Sequence, residues 1–219
     1  MTHDGVVAAV DLRPLPVRSD PIRRLTQLFA GLVLYGASMA LQIRAGLGLN
    51  PWDVLHEGLT RHLPLSFGVI TALTGVAVLL MWIPLRQRPG VGTVANVLVI
   101  AVAVDIALSL LPAPSSLGWR IAMMVVGIVL NGVATAAYVG ARLGPGPRDG
   151  LMTGLTARTG WSIRLVRTGI EVAVLATGWL LGGTVGVGTV LYALAIGPLA
   201  QAFLPFLVVR DRTNGTFVG

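Results

Sequence analysis

The chain alternates long apolar stretches with short polar segments, and six of the stretches are long enough to cross a membrane. A helix needs about 20 apolar residues to span the hydrocarbon core. The pattern therefore predicts an all-α polytopic membrane protein with six transmembrane helices. The predicted spans run from Leu25 to Ile43, Ser66 to Pro84, Thr93 to Leu111, Ile121 to Ala141, Leu165 to Leu181 and Thr189 to Val209.

The same pattern occurs twice along the chain. Residues 31–110 align without a gap on residues 127–206, and roughly a third of the 80 aligned positions are identical. The shift of 96 residues places LGLNPWDVLHEGLT on LGPGPRDGLMTGLT and one GVGTV motif on the other. An internal repeat constrains the architecture before single elements are considered. We therefore expect a flexible cytoplasmic tail (1–24), repeat 1 (25–112), repeat 2 (113–209) and a cytoplasmic C-terminal tail (210–219).

Three spans in each repeat imply that the second repeat enters the membrane from the opposite side. The arginines provide a separate test, because positively charged residues concentrate in cytoplasmic loops. With a cytoplasmic N-terminus, thirteen of the 16 basic residues, which are all arginines, fall inside, and Arg44, Arg61 and Arg120 fall outside. The sequence thus predicts two inverted three-helix halves with both termini in the cytoplasm.

Composition supports a membrane protein and removes several other classes. Charged residues make up 11% of the chain and mean hydropathy is +0.81, whereas soluble domains carry about 25% charged residues. The net charge of +7 comes from dispersed arginines, which gives no basic face for nucleic acid. With no cysteine and three histidines, neither a metal site nor another cofactor is expected. Hydrolysis needs a nucleophile beside a base, or metal ligands at suitable spacing. His56 and Glu57 are adjacent in sequence and point in different directions on a helix, so they do not form such a pair, and we expect no enzyme.

Each repeat also contains a short polar segment between its first two spans, covering Asn50 to His62 and Gly146 to Thr159. Each begins as a helix N-terminus should, with a capping residue, a proline at the first position and an aspartate at the third. The pairs are Asn50 and Gly146, Pro51 and Pro147, and Asp53 and Asp149.

Two interpretations of these segments remain open. In the first, Asp53 and Asp149 are structural caps on short helices that lie in the membrane interface. In the second, the segments are half-helices that dip from opposite sides, as at the midplane sites of inverted-repeat transporters. Their N-terminal ends would then bound a central cavity, with Trp52, Asp53, Arg148 and Asp149 as the substrate-binding residues.

Two further acids lie inside predicted spans, where carboxylates are costly and suggest function. Asp105 has two interpretations. It is either a structural acid, hydrogen-bonded in the helix bundle or hydrated near the outer interface, or an ion-coupling site with Asn96, Asn131 or Gln201 as its partner. Glu171 is either the ion-pair partner of Arg167 one turn earlier, or a second ion-coupling site. These two acids have no acidic counterpart in the other repeat.

Small residues and threonines predict how the spans pack. The GVGTV motifs favour tight turns in which Thr93 or Thr189 caps the following helix. A stripe of small residues favours close packing of the first and fourth spans against neighbours or each other. The stripe comprises Gly31, Gly36 and Ala40, with Gly127, Gly132 and Ala136 as its counterpart.

The paired LGxxPxDxLxxGLT segments and the run GWLLGGTVGVGTVLYALAIGPLAQ resemble the YczE/YyaS/YitT group of bacterial inner-membrane proteins, and its YczE-like branch most. The resemblance covers residues 25 to 209. It implies a small multi-span protein of the bacterial plasma membrane, in a group of largely unassigned function with regulatory effects suggested for some members. It supplies no catalytic residues.

These observations favour a small secondary transporter or solute-binding membrane protein with a site between two inverted repeats. Its partners would be the lipid bilayer and an unidentified small solute. One alternative is an accessory or regulatory protein that acts through helix contacts, with a solid core and a membrane partner protein or a second copy. Another is the substrate-capturing subunit of a larger importer.

Overall fold

The computed structural model describes residues 20–209, and these form eight α-helices without a strand. Residues 1–19 of the predicted N-terminal tail and the whole predicted C-terminal tail, 210–219, lie outside the described residues. The helices are α1 (Pro21–Ala45), α2 (Pro51–Thr60), α3 (Phe67–Leu85), α4 (Val91–Leu110), α5 (Leu117–Gly140), α6 (Pro147–Thr159), α7 (Ile163–Leu180) and α8 (Val187–Leu207).

Within the described residues, five helices are long and apolar enough to cross a membrane: α1, α3, α4, α5 and α8. This confirms the all-helical membrane architecture. The helix α7 lies at the predicted fifth span, but its 18 residues include Arg164, Arg167 and Glu171. These charges keep α7 out of the apolar set, so the predicted fifth span, and with it the total of six, stays a prediction.

The helices repeat with the period of the sequence. Each helix from α5 to α8 begins 96 residues after its counterpart from α1 to α4. The starting pairs are Pro21 and Leu117, Pro51 and Pro147, Phe67 and Ile163, and Val91 and Val187. The first helix begins four residues before the predicted span, because Pro21 suits the first helical position and Arg24 is buried against α5. Residues 21–24 therefore belong to α1 and not to the predicted tail.

A pair of equivalent arginines joins α1 to α5. Near the start of α5, Arg120 donates hydrogen bonds of 2.7 Å each to the carbonyls of Ala45 and Gly46 at the end of α1. Its counterpart Arg24 makes the same two bonds, at 2.9 and 3.0 Å, to the carbonyls at the end of α5. Each guanidinium thus satisfies carbonyls that a helix end leaves unpaired. Since each start meets the other end, the two helices run antiparallel.

The small-residue stripe lies where α1 meets its neighbours. Gly31 faces the backbone of α5, and Gly127 faces the backbone of α1 at Ser38. Gly36 lies against α4 and Gly132 against α8. The predicted close packing of the first and fourth spans is therefore confirmed, and the main hydrophobic core lies between α1, α4 and α5.

The loop before each short helix packs on the GVGTV motif of the other repeat. The Gly188 N–H donates to the Leu47 carbonyl at 2.8 Å, and the Gly92 N–H donates to the Leu143 carbonyl at 2.9 Å. These loop contacts connect the two repeats at both ends.

The N-cap residue of α4 is Gly90 and that of α8 is Gly186, so the threonines are not the N-caps that the sequence predicted. Thr93 and Thr189 lie at the third helical position, where the hydroxyl accepts a hydrogen bond from the N–H of Gly90 or Gly186. The threonines thus act at the helix starts as the third residue of a capping box.

The short helices also cross between repeats, since α2 packs mainly on α7 and α6 packs on α3. Val54 in α2 lies against Gly178 of α7, whereas the equivalent positions in the other pair are Gly150 in α6 and Trp82 of α3. The large and the small residue have exchanged places between the two interfaces. Both interfaces are therefore filled, although their residues differ.

Candidate functional site

The first turns of α2 and α6 meet inside the protein. The Arg148 guanidinium lies 5.5 Å from the centroid of the Trp52 ring, a cation–π distance. It also donates a hydrogen bond of 2.5 Å to the hydroxyl of Tyr35, near the middle of α1. The Trp82 indole N–H donates to the Pro147 carbonyl at 3.0 Å. The structure thus brings together the two predicted helix starts, with Trp52 and Arg148 in contact.

The start of α2 is closed by its own polar groups. The Asn50 side chain accepts hydrogen bonds from the N–H groups of Trp52 and Asp53, both at 3.1 Å, which confirms Asn50 as the N-cap. The Asp53 carboxylate accepts a 2.5 Å bond from the Asn50 amide and lies 3.3 Å from the Nδ1 atom of His56. All three side chains are buried. Asp53 is therefore held by neighbours on its own helix.

The start of α6 is open by comparison. Gly146 replaces the asparagine cap and has no side chain to hold Asp149. The Asp149 carboxylate accepts a 3.5 Å side-chain hydrogen bond from the Tyr138 hydroxyl. It lines a cavity and is exposed to it, whereas Asp53 is buried. Asp53 and Asp149 occupy the same position of the repeated motif, but their environments differ.

The cavity has a volume of about 280 Å³ and receives residues from both repeats. Besides the hydroxyl of Thr135, its polar lining contains two cations, two anions, three phenols and two amides. These groups are Arg148, Arg167, Asp149, Glu171, Tyr35, Tyr138, Tyr192, Asn96 and Gln201. Polar groups that converge on a concave site are typical of ligand binding. Of the predicted substrate-binding residues, Arg148 and Asp149 line this cavity.

A second cavity, of about 60 Å³, occupies the equivalent place in the first repeat. Trp52 and Asp53 line it, where the larger cavity has Arg148 and Asp149. Gly75 stands in the position of Glu171, and Thr71 in that of Arg167. The repeat therefore forms the same recess twice, and only the copy in the second repeat is large.

Glycines explain the difference in size. At Gly68 a side chain would overlap the Ala101 carbonyl oxygen, and at Gly75 it would come within 3.0 Å of Val97, so these glycines let α3 pack closely on α4. Their counterparts in α7 are Arg164 and Glu171. The helices α7 and α8 lack the extensive packing seen between α3 and α4. The larger side chains leave the second recess open.

Asp105 lies outside both cavities. Its carboxylate accepts a 2.5 Å bond from the Ser66 hydroxyl and a 2.7 Å bond from the Gly68 N–H, at the start of α3. These partners replace the predicted Asn96, Asn131 or Gln201. The equivalent residue Gln201 instead lines the large cavity. Asp105 thus caps α3 and connects it to α4, and its ion-coupling role stays an untested prediction.

Glu171 lines the large cavity together with Arg167. The ion pairs found in residues 20–209 join Asp53 to His56 and Glu57 to Arg61, so the predicted pair between Glu171 and Arg167 does not form. An arginine that precedes a glutamate by four residues is the less favourable order for a helical ion pair. Both side chains therefore remain available to the cavity.

Sequence reasoning did not predict that the three tyrosines lie together. The chain contains three tyrosines, and all three line the large cavity, from α1, α5 and α8. The Tyr192 hydroxyl donates to Asn131 at 2.9 Å, and Asn131 donates to Ser38 at 2.8 Å, which forms a buried chain of hydrogen bonds. The rarity of tyrosine in the chain, and its restriction to three predicted spans, was the available signal. Within residues 20–209, no cluster of three side chains suited to a metal occurs.

Comparison with known proteins identifies the family. Residues 22–205 match a family of unknown function, DUF6198. The chain belongs to this family. The match covers all eight helices except the first residue of α1 and the end of α8.

Relatives confirm the resemblance noted from the sequence. An uncharacterised protein of Haemophilus influenzae is 41% identical over 83% of this chain and 84% of its own length. The uncharacterised membrane protein YczE of Bacillus subtilis is 35% identical over 86% and 89%. YyaS of the same organism, also uncharacterised, is 25% identical over 81% and 90%. No solved structure gives a significant match. The chain is thus similar to bacterial proteins that include a membrane protein.

Proposed function

We propose that this protein is a small secondary transporter or solute-binding membrane protein whose site is the large cavity between two inverted repeats. The observation that carries the proposal is the cavity itself, about 280 Å³ in volume and lined by Arg148, Arg167, Asp149 and Glu171. Charged groups inside a membrane protein are costly to keep and typically mark a substrate or ion pathway. The accessory-protein alternative predicts a solid core, and the cavity argues against it.

The proposal includes six spans in two inverted halves. The antiparallel pairing of α1 with its counterpart α5, through equivalent arginines, supports this topology. The charges of α7 are also compatible with a span, because Arg167 and Glu171 face the cavity and Arg164 lies in the first turn. Apolar residues such as Val172 and Trp179 are exposed on α7 and would face lipid. Both termini would then be cytoplasmic.

The short helices act as half-helices in this proposal. Their first turns meet beside Tyr35, near the middle of α1, while the last turn of α2 lies near Leu181 and the end of α6 lies near Pro84. Irregular backbone at membrane depth is tolerated where it is buried in protein or lines a cavity. The two N-terminal ends would thus contribute partial positive charge to the site, partly offset by Asp149.

Reactivity of single cysteines tests whether the cavity contains water. The chain has no cysteine, so Ala200→Cys, which lines the cavity, is compared with Leu194→Cys on the outer face of the same helix. A charged, membrane-impermeant thiol reagent should label Ala200→Cys from one side of the membrane and leave Leu194→Cys unlabelled. Failure to label Ala200→Cys from either side would contradict a solute site and favour the accessory role.

A further inference from the structure

We propose that the large cavity takes a zwitterionic group, with an anion and an ammonium separated by a short linker. This inference rests on the proposed function and specifies the class of its ligand. Two residues carry it, Arg167 and Glu171, which lie one turn apart on α7 and both line the cavity. In the part of the chain that the structure describes, neither side chain forms a hydrogen bond or an ion pair.

The other two charges of the cavity already have side-chain partners. Arg148 donates to the Tyr35 hydroxyl and lies over the Trp52 ring. The Asp149 carboxylate accepts a bond from Tyr138. The charged groups without a side-chain partner are therefore one guanidinium and one carboxylate. The first would bind a carboxylate or phosphate through paired hydrogen bonds, and the second would bind an ammonium.

Charge balance favours a ligand with both groups. The two arginines and two acids give the cavity a formal charge of zero. All four charges line one cavity, so each group without a partner shares the site with charges of opposite sign. A simple anion or cation would add an uncompensated charge to a site at membrane depth, which is costly. A zwitterion adds no net charge to the cavity.

The same chemistry occurs in two kinds of molecule. A free amino acid has a carboxylate and an ammonium, and the headgroup of phosphatidylethanolamine has a phosphate and an ammonium. A water-soluble ligand would enter through the polar mouth of the cavity, whereas a lipid headgroup would enter between α7 and α8, which are not closely packed. Three tyrosines line the site and can contact the apolar part of either molecule.

Binding to purified protein tests the soluble arm. The protein is placed in phosphatidylglycerol nanodiscs, and the twenty common amino acids are screened by thermal shift and then by calorimetry. Each amino acid that binds is compared with its N-acetyl form, which lacks the ammonium, and its amide, which lacks the carboxylate. We expect both derivatives to bind at least about tenfold more weakly, which corresponds to about 1.4 kcal/mol.

The lipid arm uses nanodiscs of phosphatidylethanolamine and of phosphatidylglycerol. If the ligand is a headgroup, the melting temperature of the wild-type protein should be higher in phosphatidylethanolamine. In both arms Arg167→Gln and Glu171→Gln should remove the preference, while Arg88→Gln, an exposed residue in the α3–α4 loop, should keep it. Arg167→Lys retains the charge and controls for folding, and should restore part of the binding.

The outcomes separate this inference from the function. If the N-acetyl form or the amide binds as tightly as the parent amino acid, the zwitterionic ligand is wrong, although the cavity can still be a solute site. Absence of any preference in both arms, with Ala200→Cys labelled by the thiol reagent, would also overturn the zwitterion alone. If Ala200→Cys is not labelled, the proposed function fails and the inference fails with it.

Discussion

At the scale of single residues, the two repeats differ where equivalent positions have diverged. Gly68 and Gly75 in α3 correspond to the larger residues Arg164 and Glu171 in α7. Asp105, which binds the start of α3, corresponds to Gln201. The recess beside the two glycines has a volume of about 60 Å³, and the recess beside the larger side chains has a volume of about 280 Å³.

Substitution of Asp105 distinguishes a structural acid from an ion-coupling acid. Asp105→Ala removes the acceptor for the Ser66 hydroxyl and the Gly68 N–H, and should lower the free energy of unfolding by about 0.5–2 kcal/mol, as loss of a helix cap does. Asp105→Asn keeps an acceptor and should cost less. Denaturant titration in detergent micelles measures both values.

Labelling of the cavity provides the functional control for Asp105. Asp105→Asn should leave the reaction of Ala200→Cys with the thiol reagent unchanged, including its dependence on pH. If Asp105→Asn instead abolishes a pH dependence of labelling while the protein remains as stable as before, Asp105 couples to the cavity and a purely structural role is wrong.

At the scale of elements, stability depends on close contacts between helices of different repeats. Gly178 in α7 lies against the backbone of α2, where a side chain would approach the carbonyl carbon of Val54 to 2.5 Å. The equivalent contact of α3 with α6 is filled by the indole of Trp82 against Gly150. Each short helix is therefore positioned by a long helix of the other repeat.

Two glycines of α7 test this packing. Gly178→Ala should destabilise the protein by about 1–3 kcal/mol, since a methyl group is added to a filled interface. Gly169→Ala, on the same helix, has nothing within 4 Å of the added methyl and should be neutral or slightly stabilising. Thermal unfolding measures the difference between the two variants. Equal melting temperatures would show that α2 and α7 are not packed as described.

At the scale of the whole molecule, the repeats meet through contacts that occur in equivalent pairs. Arg24 and Arg120 join the central helices at both ends, and the Gly92 and Gly188 N–H groups bind the loops before the opposite short helices. The larger cavity lies between the halves, with Tyr35 from the first repeat and Glu171 from the second. The proposed inversion of one repeat relative to the other would produce such pairs.

Much of this arrangement could be predicted from the sequence. The repeat located the helices, and the local rules for helix starts identified the Asn50 cap, because a cap depends on residues close in sequence. They also placed Thr93 and Thr189 at helix starts, although the N-caps there are Gly90 and Gly186. The partners of Asp105 and Glu171 could not be predicted in the same way. They depend on how α3 approaches α4 and on how far α7 stands from α8, which are consequences of packing between distant segments.

The most direct test of the account is whether equivalent loops lie on opposite sides of the membrane. Pro89, in the α3–α4 loop, and Val185, in the α7–α8 loop, occupy equivalent positions 96 residues apart, and both are exposed. Single cysteines at these positions are treated in intact cells and in inverted membrane vesicles with an impermeant maleimide. The inverted repeat predicts that Pro89→Cys reacts only in inverted vesicles and that Val185→Cys reacts only in intact cells. Labelling of both from the same side would contradict the inversion, and with it the six-span topology.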